Sequence, residues 1–307
     1  MAKKMWAALG MAAALTVAAS MAASAAAPTY TYECAKLTKQ VTVDGKVAAG
    51  EWDDANELVV NADNAVLEEH GLWQGGDPRT TEQLSVTYRL KWDENNLYIL
   101  EQRTDKEYTG AATAKEPWTC DGTLLFLAVD KGGTVTNTGR FDAFWVTQAT
   151  DNTAKTAMRT YKTGAAVVGD SSADWKFAGA KEGDVYTMEL AIPWKDIQAN
   201  MTDSFEVKAG QAFRFTPIVP DYLDGEFTQM DFYVGEANPD DPDQWGGLKL
   251  VAADGSGSEG GDEGDSGADN PKTGEDSQML LFCIGGLMTA AMAVLLLSVK
   301  QRRAAQK

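Results

Sequence analysis

The sequence predicts an all-β protein built as an antiparallel β-sandwich. Short segments rich in β-branched, aromatic and leucine residues recur along the middle of the chain, and clusters of Gly, Pro, Asn and Asp separate them. No segment of this region keeps a helical period of apolar residues over several turns, which argues against a helical core. From about residue 29 to residue 251 there is no internal repeat and no second linker, so a single domain is expected.

The clearest local prediction is a β-hairpin at residues 84–105. Two strand-like runs flank residues 93–96, Asp-Glu-Asn-Asn, whose side chains bond their own backbone and tolerate a left-handed conformation. Because side chains alternate along a strand, Glu101 and Arg103 share one face of the second run and Gln102 lies on the other. Both faces become polar towards the end of the hairpin, which predicts a strand that leads from the core to a solvent-exposed site.

The remaining elements follow from apolar runs that end at turn residues. Trp52, Trp92 and Trp194 stand at strand or strand-end positions and are expected in the core. Residues 40–45 are predicted to form a short strand that leads into an Asp-Gly turn. The other predicted elements are strands at residues 124–129, 141–147, 155–161, 185–192 and 211–219, a short helical turn at 193–197, and a closing strand that ends at residue 251.

The first 27 residues have the pattern of a secretory signal peptide. Lys3 and Lys4 precede an apolar, alanine-rich stretch, and small residues end at Ala25-Ala-Ala27. A buried or transmembrane helix is the alternative, but alanine is only weakly apolar. The segment predicts export of the chain.

The C-terminus has the pattern of an anchor. Residues 279–299 form an uncharged apolar segment long enough to cross a bilayer as a helix, and basic residues follow it. Directly before it stands Asn270-Pro-Lys-Thr-Gly274, and this order resembles the cell-wall sorting signal of Gram-positive surface proteins, with Asn270 where leucine is usual. The resemblance implies that a sortase cuts between Thr273 and Gly274; the alternative is a single-span membrane anchor formed by residues 274–307.

Residues 254–273 predict an acidic, solvated linker that ends in the sorting motif, because Gly, Ser, Asp and Glu dominate and cannot bury a core. The whole chain carries 45 acidic and 27 basic residues, a formal net charge of −18. Such charge argues against nucleic acids and anionic polymers as partners. It suits a neutral ligand or one bridged by a cation.

The cysteines allow one disulfide in the exported domain. Cys283 lies in the apolar segment, which leaves Cys34 and Cys120 for pairing in an oxidising compartment. The alternative is two unpaired buried thiols.

Several short motifs follow one another in a fixed order over most of residues 41–251. They are Val43-Asp-Gly, Glu51-Trp52, Leu90-Lys-Trp-Asp-Glu-Asn-Asn-Leu-Tyr98, Asp105, Pro117-Trp118 before Asp121, Met188-Glu-Leu-Ala-Ile-Pro-Trp194 and Gln244-Trp-Gly-Gly-Leu-Lys-Leu250. Together they resemble a family 9 carbohydrate-binding module. The resemblance implies a jelly-roll-like or immunoglobulin-like sandwich that binds sugar without catalysis and often with calcium.

The resemblance implies that two aromatic rings hold a terminal sugar. Trp118 matches the first ring; the alternative is that Trp118 covers the core and does not contact sugar. For the second ring the chain offers Tyr233, Phe232 or Trp245, with no choice between them.

Polar side chains on strand ends are the expected hydrogen-bond partners of sugar hydroxyls. Gln102, Arg103 and Glu101, with Asp121, are predicted to fill this role. The alternative is that Glu101 and Arg103 form an exposed pair on an edge strand.

For calcium, the acidic turn with Asp221, Asp224 and Glu226 supplies the oxygen ligands that the ion prefers, although it lacks EF-hand spacing. The single histidine, His70, gives poor support for zinc.

An enzyme is the less favoured interpretation. Glu101 and Asp121 offer a pair of carboxylates, but the chain has no nucleophile elbow and no phosphate loop. The sequence therefore predicts non-catalytic glycan binding at a bacterial surface, in support of polysaccharide capture or carbohydrate catabolism by partner enzymes that hydrolyse glycosides. The alternatives are a surface module that binds a protein partner, or a haem-binding sandwich with His70 as a weak axial candidate.

Overall fold

The computed structural model describes the chain in nine stretches. They are residues 30–63, 73–75, 77, 79–106, 121–132, 135–146, 155–223, 226–231 and 240–253. All belong to the first of two compact units, Met1–Glu259; the second, Gly260–Lys307, lies outside the described residues, as do the predicted signal peptide, linker, sorting motif and apolar anchor. Within the nine stretches, no helix has both the length and the apolar character needed to span a bilayer.

Strands dominate the described chain. There are fourteen of them, with one α-helix, α1 (Trp194–Ala199), and two short 3-10 turns. The strands are β1 (Thr31–Lys36), β2 (Leu58–Asn61), β3 (Trp73–Gly75), β4 (Leu84–Trp92), β5 (Asn96–Asp105), β6 (Thr123–Val129), β7 (Arg140–Val146), β8 (Lys155–Thr160), β9 (Val167–Asp170), β10 (Lys176–Glu182), β11 (Val185–Pro193), β12 (Ala212–Leu223), β13 (Glu226–Asp231) and β14 (Gly246–Val251).

The described strands form one sheet that curls over on itself. Its main order is β10-β11-β5-β4-β1-β14-β12-β6-β7-β8-β9, with β2 added to β4, and β13 and β3 added to β12. Although β4, β1, β14, β12 and β6 separate β5 from β7 in this order, Trp145 on β7 donates its indole N–H to Glu101 on β5. The curl thus brings distant strands face to face and gives the chain a sandwich-like core.

The predicted all-β fold is confirmed, with one difference in strand direction. Most pairs are antiparallel, as expected, but β1 is parallel to both of its neighbours, β14 and β4. The short strand predicted before the Asp44-Gly45 turn is wrong, because residues 40–45 form no strand, although Gly45 has a positive φ of 79° as such a turn requires. Six strands were not predicted from the sequence, namely β1, β2, β3, β9, β10 and β13.

The predicted hairpin is confirmed as β4 and β5. The Asp93 carboxylate accepts hydrogen bonds from the backbone N–H groups of Asn95 and Asn96, at 2.8 and 2.7 Å, which fixes the turn. Trp92 and Trp194 are buried in the main core, and Trp52 is buried in a smaller cluster with Val41 and other residues, so all three tryptophans lie in the core as predicted.

Glu189 on β11 organises the loop that replaces the predicted strand. Its carboxylate accepts hydrogen bonds from the backbone N–H groups of Asp44 and Gly45 and from the indole N–H of Trp52, at 2.9–3.0 Å. Burial raises the pKa of Glu189, although these donors oppose the shift. Residues of two sequence motifs, Asp44-Gly45 and Glu51-Trp52, therefore donate hydrogen bonds to Glu189, which belongs to a third motif. The described role of these residues is structural.

We expect Gly45→Ala to lower the free energy of unfolding more than Gly164→Ala does. Both glycines have a positive φ, 79° and 83°, so both alanines carry a left-handed penalty of about 1–2 kcal/mol. A Cβ on Gly45 would lie 2.9 Å from the carbonyl carbon of Gly179 on β10, whereas nothing lies within 4 Å of a Cβ on Gly164. Urea unfolding of the two variants tests this difference, and equal losses would contradict it.

Candidate functional site

One end of the curled sheet collects the ends of several strands. β5 ends there at Asp105, β6 begins there at Thr123, and β12 continues past its pairing with β6 to Leu223. Residues 107–120, which connect β5 to β6 and include Trp118, lie outside the described residues. The described strand ends therefore fix where this connecting segment leaves and re-enters the sheet.

Five buried charged residues lie at this end and are called the ionic cluster below. Arg103 and Asp105 come from β5, Asp221 from β12, and Asp121 and Arg79 from the segments before β6 and β4. One carboxylate oxygen from each aspartate lies within 4.8 Å of the other two. The cluster thus places three carboxylates and two guanidinium groups out of contact with water.

Arg103 lies at the centre of the ionic cluster. Its Nε donates to Asp105 at 2.7 Å, its Nη1 to the carbonyl of Gly122 at 3.0 Å, and its Nη2 to Asp221 at 2.9 Å. Burial disfavours the charged guanidinium, but the surrounding carboxylates outweigh this effect and hold the pKa of Arg103 above its usual value. Since Asp105 precedes residues 107–120 and Gly122 follows them, one side chain fixes both ends of this segment.

Arg79 extends the cluster to the β12–β13 hairpin. Its Nε donates to Asp221 at 2.6 Å and its Nη2 to the carbonyl of Glu226 at 2.7 Å. Burial raises the pKa of Asp221, and the two guanidinium groups oppose that shift. Asp121 in turn accepts from the backbone N–H of Tyr222 at 2.6 Å.

The structure does not bring the predicted polar ligands to one site. Arg103 is fully buried, and its Nε, Nη1 and Nη2 are all engaged in hydrogen bonds within the protein. Glu101 is also fully buried, beside Trp145. Gln102 lies on the opposite face, where it accepts a hydrogen bond from Arg89 at 3.2 Å. The prediction that Gln102 and Arg103 act together is wrong because neighbouring residues of a strand point to opposite faces.

The alternative for Glu101 and Arg103, an exposed pair on an edge strand, is also wrong. β5 lies between β4 and β11 inside the sheet, and both side chains face its interior. Asp121 is fully buried as well, so its described role is to fix the backbone of β12.

Of the predicted aromatic platforms, only Trp245 falls in the described chain. It is 1% exposed, with its ring 5.5 Å from that of Phe126 and 5.0 Å from the Arg140 guanidinium. Such burial excludes Trp245 as a stacking surface for sugar. Trp118, Phe232 and Tyr233 lie outside the described residues, so their predicted role stays a prediction.

The predicted calcium ligands are not assembled as expected. Asp221 binds two guanidinium groups, and Glu226 is exposed and contributes its backbone carbonyl to Arg79; Asp224 lies outside the described residues. Asp221 instead groups with Asp105 and Asp121, where Arg103 already supplies the positive charge. Because these three carboxylates lie close enough together to hold a metal ion, calcium binding stays a prediction.

The predicted disulfide is absent from the structure, in which Cys34 is a buried free cysteine. Cys120, the predicted partner, lies outside the described residues.

A second group of charges lies on the face of β6, β7 and β8 that points away from β5. Asp142 on β7 faces Phe126 on β6 and Arg159 on β8 across the strands. Asp142 accepts hydrogen bonds from Arg140 at 2.7 and 2.9 Å and from Arg159 at 2.6 Å. We call this group the outer arginine face.

Aromatic rings surround the two guanidinium groups of the outer arginine face. The Arg140 guanidinium lies 4.2 Å from the ring centre of Phe126 and 4.8 Å from that of Tyr161. The Arg159 guanidinium lies 5.4 Å from the ring centres of Phe144 and Tyr161. No sequence signal marked this group, because Arg140 and Asp142 alternate with core residues in a mostly apolar strand and Arg159 lies in a strand of mixed character.

The described strands and the buried charges at their ends define a mostly β-stranded domain with one curled sheet. Residues 43–253 match the model of the family described as "Carbohydrate family 9 binding domain-like". The chain belongs to this family.

Solved structures with a similar fold include a carbohydrate-binding module of family 9 from Caldicellulosiruptor kristjanssonii in complex with cellotriose. It is 13% identical to this chain, covers 78% of this chain and 100% of its own, and has a TM-score of 0.48. The structure of a family 9 module from the same organism with glucose gives 14% identity, 78% and 98% coverage and a TM-score of 0.48. The family assignment rests on the sequence match and not on these structures. A comparison with curated proteins gives no match.

We expect Arg103→Lys to cost about 3–5 kcal/mol of stability, because a single ammonium group cannot replace hydrogen bonds that leave the guanidinium in several directions and would leave buried carboxylates unpaired. Arg89→Lys is the matched control. Arg89 is partly exposed and pairs with Glu57 and Gln102, so its replacement is expected to cost less than about 1 kcal/mol. Urea unfolding measures both losses, and a similar loss for the two variants would contradict the central role of Arg103.

Proposed function

We propose that this chain is a non-catalytic carbohydrate-binding module that acts at the surface of a bacterial cell. The observation that carries the proposal is the family match over residues 43–253, which includes nearly all of the described strands. The family is one of carbohydrate-binding domains, and the fold positions loops at a strand end as such a module requires.

The ionic cluster supports this proposal by fixing the chain next to Trp118. Trp118 stands three residues before Asp121 in the sequence. At 3.8 Å between consecutive Cα atoms, its Cα is within about 11 Å of the Cα of Asp121 in any conformation. The buried cluster holds Asp121 in place and thereby limits how far Trp118 can lie from this end of the sheet.

Binding without catalysis is also the better account of the two carboxylates considered for an enzyme. Glu101 accepts a hydrogen bond from the Trp145 indole, and Asp121 accepts one from the Tyr222 backbone. Both side chains are 0% exposed. A glycosidase needs its two carboxyl groups on either side of an accessible glycosidic bond, so this pair does not suit that chemistry.

We expect the full chain to bind at least one neutral saccharide and Trp118→Ala to lose that binding. The titration panel is glucose, cellotriose, xylotriose and mannotriose, with trigalacturonate as the acidic comparison. Calorimetry is run in a detergent without a sugar headgroup, because glucosides and maltosides would compete. Calcium and chelator are added in separate runs to test the predicted ion.

The control for this experiment is the thermal unfolding of the variant. A ligand-binding tryptophan at a surface is expected to leave the unfolding temperature almost unchanged, whereas removal of a core tryptophan costs about 3–5 kcal/mol. Binding that survives Trp118→Ala would exclude Trp118 as the platform. No binding of any saccharide in the panel by the natural chain would contradict the proposed function.

We propose further that the module is exported by residues 1–27 and held at the surface through its C-terminus, by sortase-catalysed attachment at Thr273. The order of the motif 270–274, the apolar segment 279–299 and the basic tail supports this proposal. The acidic linker 254–273 separates the module from the anchor.

We expect Thr273→Ala to move the protein from the cell-wall fraction to the membrane fraction of the bacterium that makes it. The variant keeps the apolar segment but lacks the residue at which a sortase would cut. Ser277→Ala, four residues further along and outside the motif, is the control and is expected to stay in the wall fraction. Membrane localisation of the natural chain itself would favour the alternative of a single-span membrane anchor.

A further inference from the structure

The outer arginine face contains one guanidinium whose hydrogen-bonding edge is not used by the protein. Arg159 donates from Nε to Asp142 at 2.6 Å, and its Nη2 lies 3.7 Å from Asp240, beyond hydrogen-bond distance. Within the described part of the chain, neither Nη1 nor Nη2 of Arg159 makes a hydrogen bond. The Arg159 side chain is 16% exposed, whereas that of Asp142 is fully buried.

Arg140, on the same face, differs from Arg159 because all of its nitrogen atoms donate to carboxylates of the protein. Its side chain is 0% exposed, and Nε, Nη1 and Nη2 donate to Asp142, Asp240 and Asp142 respectively, at 2.7–2.9 Å. Asp142 already accepts from Arg140 on both of its oxygens, so it does not depend on Arg159 for neutralisation. The donors of Arg159 are therefore available to a ligand at little cost to the fold.

Two further groups beside Arg159 suit the recognition of hydroxyl groups. Tyr161 is half-buried under the two guanidinium groups, and within the described residues its hydroxyl makes no hydrogen bond. Burial raises the pKa of Tyr161, so at neutral pH its hydroxyl is protonated and can both donate and accept. Asp240 presents a carboxylate that is 64% exposed.

We propose that Arg159, Tyr161 and Asp240 form the polar part of the saccharide site. The Nη1 and Nη2 groups of Arg159 donate a pair of hydrogen bonds to two vicinal hydroxyl oxygens of a pyranose, and Asp240 accepts a hydrogen bond from a sugar hydroxyl. The Tyr161 hydroxyl donates a hydrogen bond to a sugar hydroxyl or accepts one from it. This inference rests on the proposed carbohydrate binding and replaces Gln102 and Arg103 as the hydrogen-bonding residues.

The charges around Arg159 select a neutral sugar. Two guanidinium groups face two carboxylates, Asp142 and Asp240, so the face has no excess positive charge for an acidic ligand. A uronate carboxylate beside Arg159 would lie close to Asp240 and would also meet a chain of net charge −18. Neutral hydroxyl groups satisfy both the donors of Arg159 and the acceptors of Asp240.

Calorimetric titration of the full chain with the same panel tests this assignment through Arg159→Gln and Tyr161→Phe. Loss of a charged hydrogen-bond donor is expected to weaken binding of the neutral sugar roughly 10- to 100-fold, and loss of a hydroxyl roughly 3- to 10-fold. Tyr161→Phe keeps the ring that packs under both guanidinium groups, so its effect reports the hydroxyl alone. Arg89→Gln, on a different part of the sheet, is the matched control and should bind as the natural chain does.

The outcomes separate this inference from the proposed function. If the natural chain binds a neutral saccharide and both variants bind it equally well, the assignment to Arg159 and Tyr161 is wrong while carbohydrate binding stands. Tighter binding of trigalacturonate than of every neutral sugar would overturn the selection for neutral ligands. If the natural chain binds nothing in the panel, both proposals fail. Should Arg159→Gln unfold, Tyr161→Phe and Asp240→Asn decide, since each keeps the guanidinium beside Asp142.

Discussion

The guanidinium of Arg103 is the point on which the candidate binding end of the module depends. A buried positive charge needs compensating carboxylates, and here they come from β5, from the residue before β6 and from β12. Each of these residues stands next to a connecting segment, so electrostatic compensation in the interior also fixes the places where the loops leave the sheet. An apolar core of the same size would hold the strands together without specifying those places.

The sequence was sufficient for the parts of the fold that depend on local patterns. The β4–β5 hairpin, the strands β6, β7, β8, β11 and β12, and the buried tryptophans all follow from alternation, turn residues and apolar runs. The start of segment 40–45 looked like a strand because of Val41 and Val43, but the Glu51 carboxylate accepts the backbone N–H of Thr42. The carboxylate of Glu189 accepts those of Asp44 and Gly45, in the turn that follows. Because Glu189 is so distant in the sequence, the local pattern of residues 40–45 does not indicate this contact.

The candidate site was harder to predict for the same reason. Arg103 was selected because a charged residue at a strand end suggests a ligand contact, yet Asp121 and Asp221 approach it from remote parts of the chain and bury it. The mixed polar and apolar sequence of β8 did not distinguish Arg159 as a candidate ligand-binding residue. Its importance depends on which of its N–H groups Asp142 leaves unused, and only the cross-strand register between β7 and β8 determines this.

The parallel strand β1 links the two ends of the domain. It lies between β4 and β14, so the first described strand is completed by the last, residues 246–251. During synthesis, the central part of the sheet therefore has an open edge until almost the entire domain has been made, and contacts of such sequence separation form slowly. In the export proposed above, a chain with this topology stays unfolded for longer while it emerges, so a translocation channel that accepts only unfolded polypeptide can thread it before the sheet closes.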